Sequence, residues 1–499
     1  MTLPSTVLVN NLSTLQLAGG VTVNKILALD LANLVNLTGD NTWSGYISIQ
    51  INPGGKSVIS AAAGTKLTLS GEVAISTQTP EDPVNQFENL YLAGAGDIDI
   101  TGTISEEISG AGGYILGHGD VVMEGSGTLT LSSDNTYSGR TIMKNGIVSV
   151  TGDSNFGAVP AATTEGRLVL SGGTLACDAS FTINSNRGIA LGSALQSGTG
   201  TIQVAESCVV SYAGAFADIS TGTGALTKNG AGTLELTGAS TYSLGTSVDA
   251  GTLRVNNTTG SATGTGKVTV GSGATLAGNG FIGGLTSLKS GGTLSPGNSP
   301  GTLTIYTNLV LDSSSIFTVE IDADLSDLAA VTGTCTIASG AVLNVSGTGP
   351  TVPVYTIITT TEGVSGTFSG LPEGASVTID GKLYFIHYGA KDVTLVCSAV
   401  VSGYVFRDKN ADGYMNTGDV YLSGAVVRLY TDGVLFGTCE STNGVYSFTA
   451  VPGSEIEVKT ALNEGILTIV PAGSEATRNR AVTNGTDGAV SDYTLASGE

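Results

Sequence analysis

One stretch of the chain carries oxygen donors at the spacing that a calcium ion requires. The segment DKNADGYMNTGD spans residues 408–419. The donors are Asp408, Asn410, Asp412, the Tyr414 carbonyl, Asn416 (directly or through water) and Asp419. Calcium takes about six to eight oxygens in a flexible cage, and Gly413 supplies the tight turn that brings alternating donors to one point. The spacing predicts a structural Ca2+ site, against the alternative of an Asx-rich surface turn without an ion.

Other titratable residues have no chemical motif around them. The two histidines, His118 and His387, are far apart in sequence, and we expect one in a turn and the other in a strand. Two carboxylate pairs fall on one face of a strand, as they would in a β-helix that cleaves polysaccharides. These pairs are Asp97 with Asp99 and Glu320 with Asp322. Solvated carboxylates on an outer face are the favoured interpretation, so the sequence predicts no catalytic site.

The cysteines are too sparse for a disulfide framework. The five are Cys177, Cys208, Cys335, Cys397 and Cys439, and none forms a C-x-x-C pair. Buried free thiols are the favoured interpretation. A bridge between Cys177 and Cys208 stays open if the two lie on stacked strands.

The elements that must position these residues are short strands. Runs such as KLTLS (66–70), GTLTLS (127–132) and TLELTG (233–238) alternate apolar and polar residues and are bounded by Gly, Ser, Asn or Thr. The nearest helical candidate is 25–37, which Asn33 and Asn36 interrupt. The pattern predicts an all-β protein.

Composition excludes several classes of function. The chain has 499 residues, 73 of them Gly, with 41 acidic against 19 basic side chains and a net charge of −22. So few basic residues argue against binding of nucleic acid or anionic lipid. An apolar content of 40% argues against intrinsic disorder. Because no run of about 18 apolar residues occurs, we expect no membrane-spanning helix.

Three segments align without gaps and reveal an internal repeat. They are LTGDNTWSG (37–45), LSSDNTYSG (131–139) and LTGASTYSL (236–244), and the last two extend to residues 125–150 and 230–255. Trp43, Tyr137 and Tyr242 occupy the same slot, where a ring would stack in register or seal a turn. A unit of two or three short strands cannot bury its apolar face alone, so such units stack coil on coil.

We therefore expect a right-handed parallel β-helix (solenoid) over residues 1–400, with about 20–25 residues per coil. The first ~30 residues would form a cap or an assembly segment. A string of β-sandwiches is the competing interpretation, but it predicts regular hairpin turns and a patterned core Trp.

The repeat also resembles a known family. Residues 125–150 and 230–255 resemble the autotransporter-associated β-strand repeat of bacterial passenger domains. The stretch GTLSPGNSPGTLTI (292–305) is similar to the region that follows such repeats, and the likeness extends over about residues 30–400. The resemblance implies an extracellular, cell-surface location.

The texture of the sequence changes near residue 401. The segments 402–430 and 440–460 resemble the B-type immunoglobulin-like repeat of serine–aspartate repeat surface adhesins and collagen adhesins. This resemblance implies a Greek-key immunoglobulin-like β-sandwich over residues 401–499 that contains the calcium loop.

From these features we expect a non-enzymatic structural protein of the bacterial cell surface: a surface layer, a fibre or an adhesive stalk. It would self-assemble into a homo-oligomer or homopolymer through the β-helix and the C-terminal module. One alternative is a β-helix that binds or cleaves carbohydrate. The other is a monomeric adhesin with a cell-surface or glycan partner.

Overall fold

The computed structural model describes residues 5–50, 56–77, 89–108, 118–193, 197–220, 222–407, 417–431, 434–450, 455–460, 467–471 and 488–494. The chain forms two compact units. The first comprises Met1–Val319, Asp327–Asn344 and Thr359–Ser369, and the second comprises Glu320–Ser326, Val345–Ile358 and Gly370–Glu499. These units are separated by packing, whereas the division into 1–400 and 401–499, which rests on sequence texture, stays a prediction.

The strands follow one another at short intervals. The first are β1 (Thr6–Asn10), β2 (Thr14–Ala18), β3 (Thr22–Val23), β4 (Ile26–Asp30), β5 (Asn33–Thr38), β6 (Asn41–Trp43), β7 (Ile47–Ile49), β8 (Val58–Ala61), β9 (Lys66–Leu69), β10 (Val73–Thr77), β11 (Leu90–Gly94), β12 (Asp97–Ile100), β13 (Ile104–Ile108), β14 (Val121–Met123), β15 (Thr128–Leu131), β16 (Thr141–Met143) and β17 (Ile147–Val150). A short 3-10 helix, Asp153–Phe156, follows β17.

The middle of the chain continues in the same way. Its strands are β18 (Thr164–Leu170), β19 (Thr174–Cys177), β20 (Phe181–Ile183), β21 (Arg187–Leu191), β22 (Ser197–Val204), β23 (Val209–Tyr212), β24 (Phe216–Asp218), β25 (Thr223–Asn229), β26 (Thr233–Leu236), β27 (Gly245–Val248), β28 (Thr252–Val255), β29 (Val268–Val270), β30 (Thr275–Gly278), β31 (Phe281–Ile282), β32 (Thr286–Leu288), β33 (Thr293–Pro296), β34 (Thr302–Ile305), β35 (Leu309–Leu311) and β36 (Ile316–Asp322).

The remaining strands are β37 (Leu325–Ser326), β38 (Leu328–Val331), β39 (Thr334–Ile337), β40 (Val342–Thr348), β41 (Val354–Thr360), β42 (Gly363–Ser365), β43 (Ser376–Ile379), β44 (Lys382–Tyr388), β45 (Asp392–Cys397), β46 (Ala399–Arg407), β47 (Val420–Tyr421), β48 (Val426–Thr431), β49 (Val434–Glu440), β50 (Val445–Ala450), β51 (Glu455–Thr460), β52 (Leu467–Pro471) and β53 (Gly488–Thr494).

The first unit is a parallel β-helix, as the repeat analysis predicts. At its start, strands three apart in sequence lie side by side, so each coil contributes one strand to each of three sheets. Sheet A has the order β1-β4-β7-β10-β13, and sheet B has the order β2-β5-β8-β11-β14-β16-β18-β21-β24. Sheet C has 15 strands, in the order β3-β6-β9-β12-β15-β17-β19-β22-β25-β27-β29-β32-β35-β39-β42. Sheet D contains β20-β23-β26-β28-β30-β33-β36, and β31, β34 and β38 pair in parallel as well.

The register gives the length of individual coils. Thr6 pairs with Ile26, a step of 20 residues, and Thr128 pairs with Ile147, a step of 19. Other coils are longer because their corner segments are longer. Each strand bonds in parallel to the strand one coil away, so the number of residues between paired positions is the length of one coil.

The core consists of columns of aliphatic side chains. Along sheet C, inward residues of successive strands face one another in register and are at most 1% exposed. One such column is Leu67, Ile98, Leu129, Val148, Leu175 and Ile202. Each coil thus covers the apolar face of the coil before it, which is the main source of stability in a solenoid.

The segment that came nearest to a helical pattern is extended. Residues 25–37 form β4 and β5, in which alternate residues such as Leu27, Leu29 and Leu34 are fully buried. The corner between the strands is at Leu31, whose φ is 50°. The period of two therefore decides the structure here.

The second unit consists of small antiparallel sheets. Strands β43, β44 and β45 pair in antiparallel order. A second sheet joins β47, β46 and β50, with β52 also on β46, and a third has the order β49-β48-β51-β53. The buried cluster between strands of these sheets is Val405, Val427, Leu429, Tyr446 and Val458.

Candidate functional site

The twelve residues of the predicted calcium loop connect two strands that pair with each other. Strand β46 ends at Arg407 and β47 begins at Val420, and Arg407 pairs with Val420 in antiparallel register. The residues that flank the segment 408–419, Arg407 and Val420, are therefore held side by side. Such closely spaced flanking residues are compatible with a loop whose first and last positions both bind one ion.

Most of the predicted calcium ligands lie outside the described residues. These are Asp408, Asn410, Asp412, Tyr414 and Asn416. Asp419, the twelfth position, is described; its side chain is partly buried and already has an interaction partner. Among the described residues there is no group of three or more His, Cys, Asp or Glu side chains that could hold a metal ion. The Ca2+ site stays a prediction.

The aromatic slot, Trp43, Tyr137 and Tyr242, is buried in all three aligned segments, with each ring at most 1% exposed. The Tyr137 hydroxyl lies 2.6 Å from Thr141 Oγ1, and the Tyr242 hydroxyl lies 2.5 Å from Thr246 Oγ1. Each tyrosine hydroxyl thus contacts a threonine four residues later, across the segment that leads to the next strand. That the rings seal this turn stays a prediction. Burial raises the pKa of Tyr137 to about 12, so the hydroxyl stays neutral.

Trp43, which occupies the slot in the first segment, forms a different hydrogen bond from the two tyrosines. Its indole Nε1 donates to the Lys25 carbonyl at 2.9 Å, because Trp has a donor but no acceptor. The ring position is the same, but the hydrogen bond goes to backbone rather than to a hydroxyl.

The two residues before the slot bind the preceding coil in every segment. In the first segment the Val21 amide donates to Asn41 Oδ1 at 2.7 Å, and the Thr42 amide donates to the Val21 carbonyl at 2.9 Å. The same pair of bonds joins Asn135 and Thr136 to Ile104, at 2.7 and 2.9 Å. It recurs between Ser240 and Thr241 and their partner Phe216, at 3.2 and 2.8 Å.

A carboxylate from the preceding coil binds the residue after the slot in two of the segments. Glu106 accepts from the Ser138 amide at 3.0 Å, from Ser138 Oγ at 2.7 Å and from the Gly119 amide at 3.1 Å. Asp218 accepts from the Ser243 amide at 3.2 Å, from Ser243 Oγ at 2.7 Å and from the Gly224 amide at 2.7 Å. We call this arrangement the carboxylate clamp. It ties two coils together through charge-assisted bonds.

The clamp was not predicted from the sequence. Glu106 precedes Ser138 by 32 residues and Asp218 precedes Ser243 by 25. Because coil lengths differ, no fixed spacing marks the carboxylate. The signal that does exist is its place two residues after Ile104 and Phe216, the residues that pair with the slot segment.

The two histidines lie in exposed hydrogen-bonded positions. His118 Nδ1 is 2.5 Å from Ser138 Oγ, beside the Glu106 clamp. His387 lies in β44, as expected for a strand residue, and its Nδ1 is 2.6 Å from Glu373 Oε1. One ring nitrogen of each histidine is therefore hydrogen-bonded, to a serine in the case of His118 and to a carboxylate in the case of His387.

The paired carboxylates lie on outer faces, as expected. In β12, Asp97 accepts from the Thr128 amide at 3.0 Å, and Asp99 forms an ion pair with Lys66 at 2.9 Å. In β36, Glu320 and Asp322 alternate with buried residues, and Thr348 Oγ1 donates to Asp322 at 3.3 Å. These contacts join neighbouring strands.

All five cysteines are free. Cys177 and Cys335 are buried, and burial raises the pKa of both thiols to about 12. The conceivable bridge between Cys177 and Cys208 is not formed, and Cys208 Sγ instead lies 3.8 Å from the Asp178 carbonyl.

One lysine lies within the aliphatic column of sheet C. Lys228 pairs with Ile202 on one side and Val248 on the other, and it is fully buried. Its ammonium donates to the carbonyls of Asn229, Gly230 and Ala250 at 2.8, 2.8 and 3.0 Å. Burial lowers the pKa of Lys228 to about 8. Sequence reasoning missed it because K-N-G is typical of a solvated turn.

Comparison with known proteins agrees with the repeat. Residues 121–150 and 226–255 match the Passenger-associated-transport-repeat family. Within these two segments the chain is similar to the repeats of that family. Both matches begin four residues before the boundaries taken from the sequence and end at the same residues.

Two relatives are known by name. The Adhesin BmaC autotransporter of Brucella suis biovar 1 (strain 1330) is 35% identical over 234 residues, which cover 42% of this chain and 7% of the adhesin. The Extracellular serine protease of Serratia marcescens is 33% identical over 190 residues, which cover 36% of this chain and 17% of the protease. The chain thus spans a small part of either relative's length.

These matches confirm the secreted, cell-surface location that the resemblance implied. The structure adds that, within the residues described, no helix is long and apolar enough to cross a membrane.

Proposed function

We propose that the chain is a non-enzymatic structural protein of the bacterial cell surface, the shaft of a surface layer, fibre or adhesive stalk. The observation that best supports this proposal is the 15-stranded parallel sheet with its buried columns of aliphatic side chains. Polar side chains on the outer faces bond to neighbouring strands and coils, as the carboxylate clamp and the Lys66–Asp99 pair illustrate. These groups serve the scaffold.

Self-assembly is supported by the first coil. Leu8 and Leu12, in and just after β1, are 62% and 78% exposed. Exposed apolar side chains that lie close together favour contact with another chain.

Electron microscopy with light scattering tests the assembly. The wild type should form filaments or sheets as concentration rises, and the double variant Leu8→Glu, Leu12→Glu should remain dispersed. Val159→Glu changes a side chain that is 44% exposed elsewhere and is the control. Dispersed wild-type monomers at high concentration, or an unchanged double variant, would contradict self-assembly.

The C-terminal module is proposed to be an immunoglobulin-like sandwich stiffened by Ca2+ in the loop 408–419. Pairing of Arg407 with Val420 supports it, because an ion in the loop would brace β46 against β47. Calorimetry should detect Ca2+ binding in the wild type and none in Asp408→Asn, Asp412→Asn, whereas Glu440→Gln, outside the loop, should bind normally. Unaltered calcium binding in the double variant would refute the site.

An enzymatic function is the alternative that must be tested, because one of the relatives is a serine protease. A panel of peptide and polysaccharide substrates, assayed for new amines and reducing ends, separates the two classes. Turnover that rises in proportion to the concentration of purified protein would overturn the structural role.

A further inference from the structure

Two aromatic rings lie parallel on the surface of the β-helix. The ring centroids of Phe281 and Tyr306 are 5.6 Å apart and their planes differ by 14°. Tyr306 is 44% exposed and Phe281 is partly buried. The backbone fixes both, since Phe281 pairs with Thr304 and the Tyr306 amide donates to Ile282 at 2.9 Å. The ring pair is therefore a preformed platform.

A ladder of three asparagines includes residues of the corners that precede β31 and β34, the strands that carry the platform. Asn298 Nδ2 donates to Oδ1 of both Asn256 and Asn279, at 3.0 Å each, and the Asn279 amide donates to Asn256 Oδ1 at 3.2 Å. Only the buried Gly280 separates Asn279 from Phe281. Among the described residues, Asn298 Oδ1 and Asn279 Nδ2 have no protein partner, so an acceptor and a donor remain for a ligand.

The segments that carry the platform contain almost no charged side chains. Residues 268–288 and 290–311, which carry both rings, Asn279 and Asn298, contain no Asp, Glu, Lys or Arg, although the chain as a whole has a net charge of −22. Asn256 lies outside these ranges, and its Nδ2 donates to Glu235 at 2.8 Å. Lys289, between them, is paired with Asp312 at 2.8 Å. A charged ligand would find no unpaired counter-ion on these segments. An uncharged ligand with an apolar ring face and many hydroxyls matches the ring and amide chemistry.

We propose that Phe281 and Tyr306, with the ladder Asn256, Asn279 and Asn298, bind a neutral pyranose glycan. The C–H face of one sugar stacks on the exposed Tyr306 ring, and hydroxyls exchange hydrogen bonds with Asn298 and Asn279. Binding is non-covalent and leaves the glycan intact. The site goes beyond the structural role and does not depend on self-assembly.

Affinity electrophoresis in native gels tests the site, with dextran, amylose, mannan, laminarin, galactan and xylan as the immobilised probes. We expect at least one polysaccharide to retard the wild type. The variant Phe281→Ala, Tyr306→Ala should bind about tenfold more weakly, because it removes the ring face on which the sugar stacks. Asn298→Ala should weaken binding less, and Tyr306→Phe should retain most of it.

The matched control is a second exposed ring pair. Tyr404 and Tyr421 have centroids 5.6 Å apart and are 40% and 44% exposed, but their planes differ by 41°. Tyr404→Ala, Tyr421→Ala should leave the retardation unchanged. Circular dichroism establishes that each variant is folded. If none of the six polysaccharides retards the wild type, or if both double variants lose binding equally, the proposal is wrong. Neither result would affect the test of filament formation.

Discussion

The two passenger-associated repeats have the same internal geometry but occupy different faces of the β-helix. In the first repeat, β14 and β16 belong to sheet B and β15 and β17 to sheet C. In the second, β25 and β27 belong to sheet C and β26 and β28 to sheet D. The register steps are equal, since Val121 pairs with Thr141 and Leu226 with Thr246, 20 residues apart in both cases. The repeat is thus a local unit of two coils, and its own sequence does not determine which sheets of the β-helix its strands join.

What differs between the repeats is informative. The first repeat has Met123 in its buried strand, at the position where the second has Lys228. Both repeats contain the slot tyrosine and the serine that a carboxylate of the preceding coil binds. We infer that this tyrosine and serine are common features of the repeat, whereas its inward position accepts either a methionine or a lysine whose ammonium is hydrogen-bonded.

Removing the slot ring should give the largest effect. We expect Tyr137→Ala and Tyr242→Ala each to cost about 3–5 kcal/mol of local stability, because a fully buried ring leaves a cavity. Tyr→Phe should cost only about 1 kcal/mol, the hydrogen bond to Thr141 or Thr246. Unfolding of a repeat array is not a single two-state event, so hydrogen exchange with mass spectrometry is the suitable measurement.

Equal opening of the two repeats would support their equivalence. Tyr91→Ala, at a ring that is only partly buried, is the control and should have little effect. If the alanine variants opened no more than the phenylalanine variants, the ring would not be sealing the turn.

The glycine that packs against each slot tyrosine from the next coil offers a second test of whether the two repeats are equivalent. Gly157 and Gly264 have φ values of 77° and 63°, and a Cβ at either would overlap the carbonyl oxygen of the slot tyrosine. Alanine at a positive φ costs about 1–3 kcal/mol through backbone strain. Gly273→Ala is the matched control, because its φ is 75° but the space around it is open. Hydrogen exchange measures the loss of stability in each variant. The additional loss in Gly157→Ala and Gly264→Ala, relative to Gly273→Ala, is the cost of the steric overlap. No additional loss would mean that the backbone of the corner shifts to accommodate the Cβ.

The sequence predicted the strands, the stacked coils and the aromatic slot because each depends on local alternation or on a repeated motif. It did not predict the clamp, since Glu106 and Asp218 come from coils of different length. It did not predict the faces that the repeats occupy, because these depend on the summed lengths of all earlier corners. At 408–419 the spacing predicts a calcium loop, which stays a prediction, and the structure adds the pairing of Arg407 with Val420.

Neutralising the clamp should have a smaller effect than either change at the turn. Glu106→Gln and Asp218→Asn should each cost about 1–2 kcal/mol, because an amide keeps one acceptor but loses the charge and places an NH2 group against a donor. Exchange at residues 138–141 and 243–246 measures the loss.

The control for the clamp is Glu235→Gln. Within the part of the chain that the structure describes, Glu235 accepts from two side chains, Ser211 Oγ at 2.7 Å and Asn256 Nδ2 at 2.8 Å, and from no backbone amide. Its replacement should change stability by less than about 0.5 kcal/mol. A loss equal to that of the clamp variants would show that backbone contacts confer no special role on Glu106 and Asp218.

Lys228→Met inserts the residue of the first repeat into the second and should reveal the pH dependence that the lysine brings. The folded pKa of about 8 lies below the ordinary value of 10.5. Between these values the unfolded chain binds more protons than the folded chain, so the stability of the wild type rises with pH relative to the variant.

From pH 7.5 to pH 9 we expect a relative gain of about 1 kcal/mol. Opening free energies of β25, corrected for the pH dependence of intrinsic exchange, measure it. Subtracting the variant removes the contribution of the buried tyrosines, whose raised pKa values act in the opposite direction above about pH 10. A flat difference would mean that the three carbonyls fully replace water around the ammonium, so that burial does not lower the pKa of Lys228.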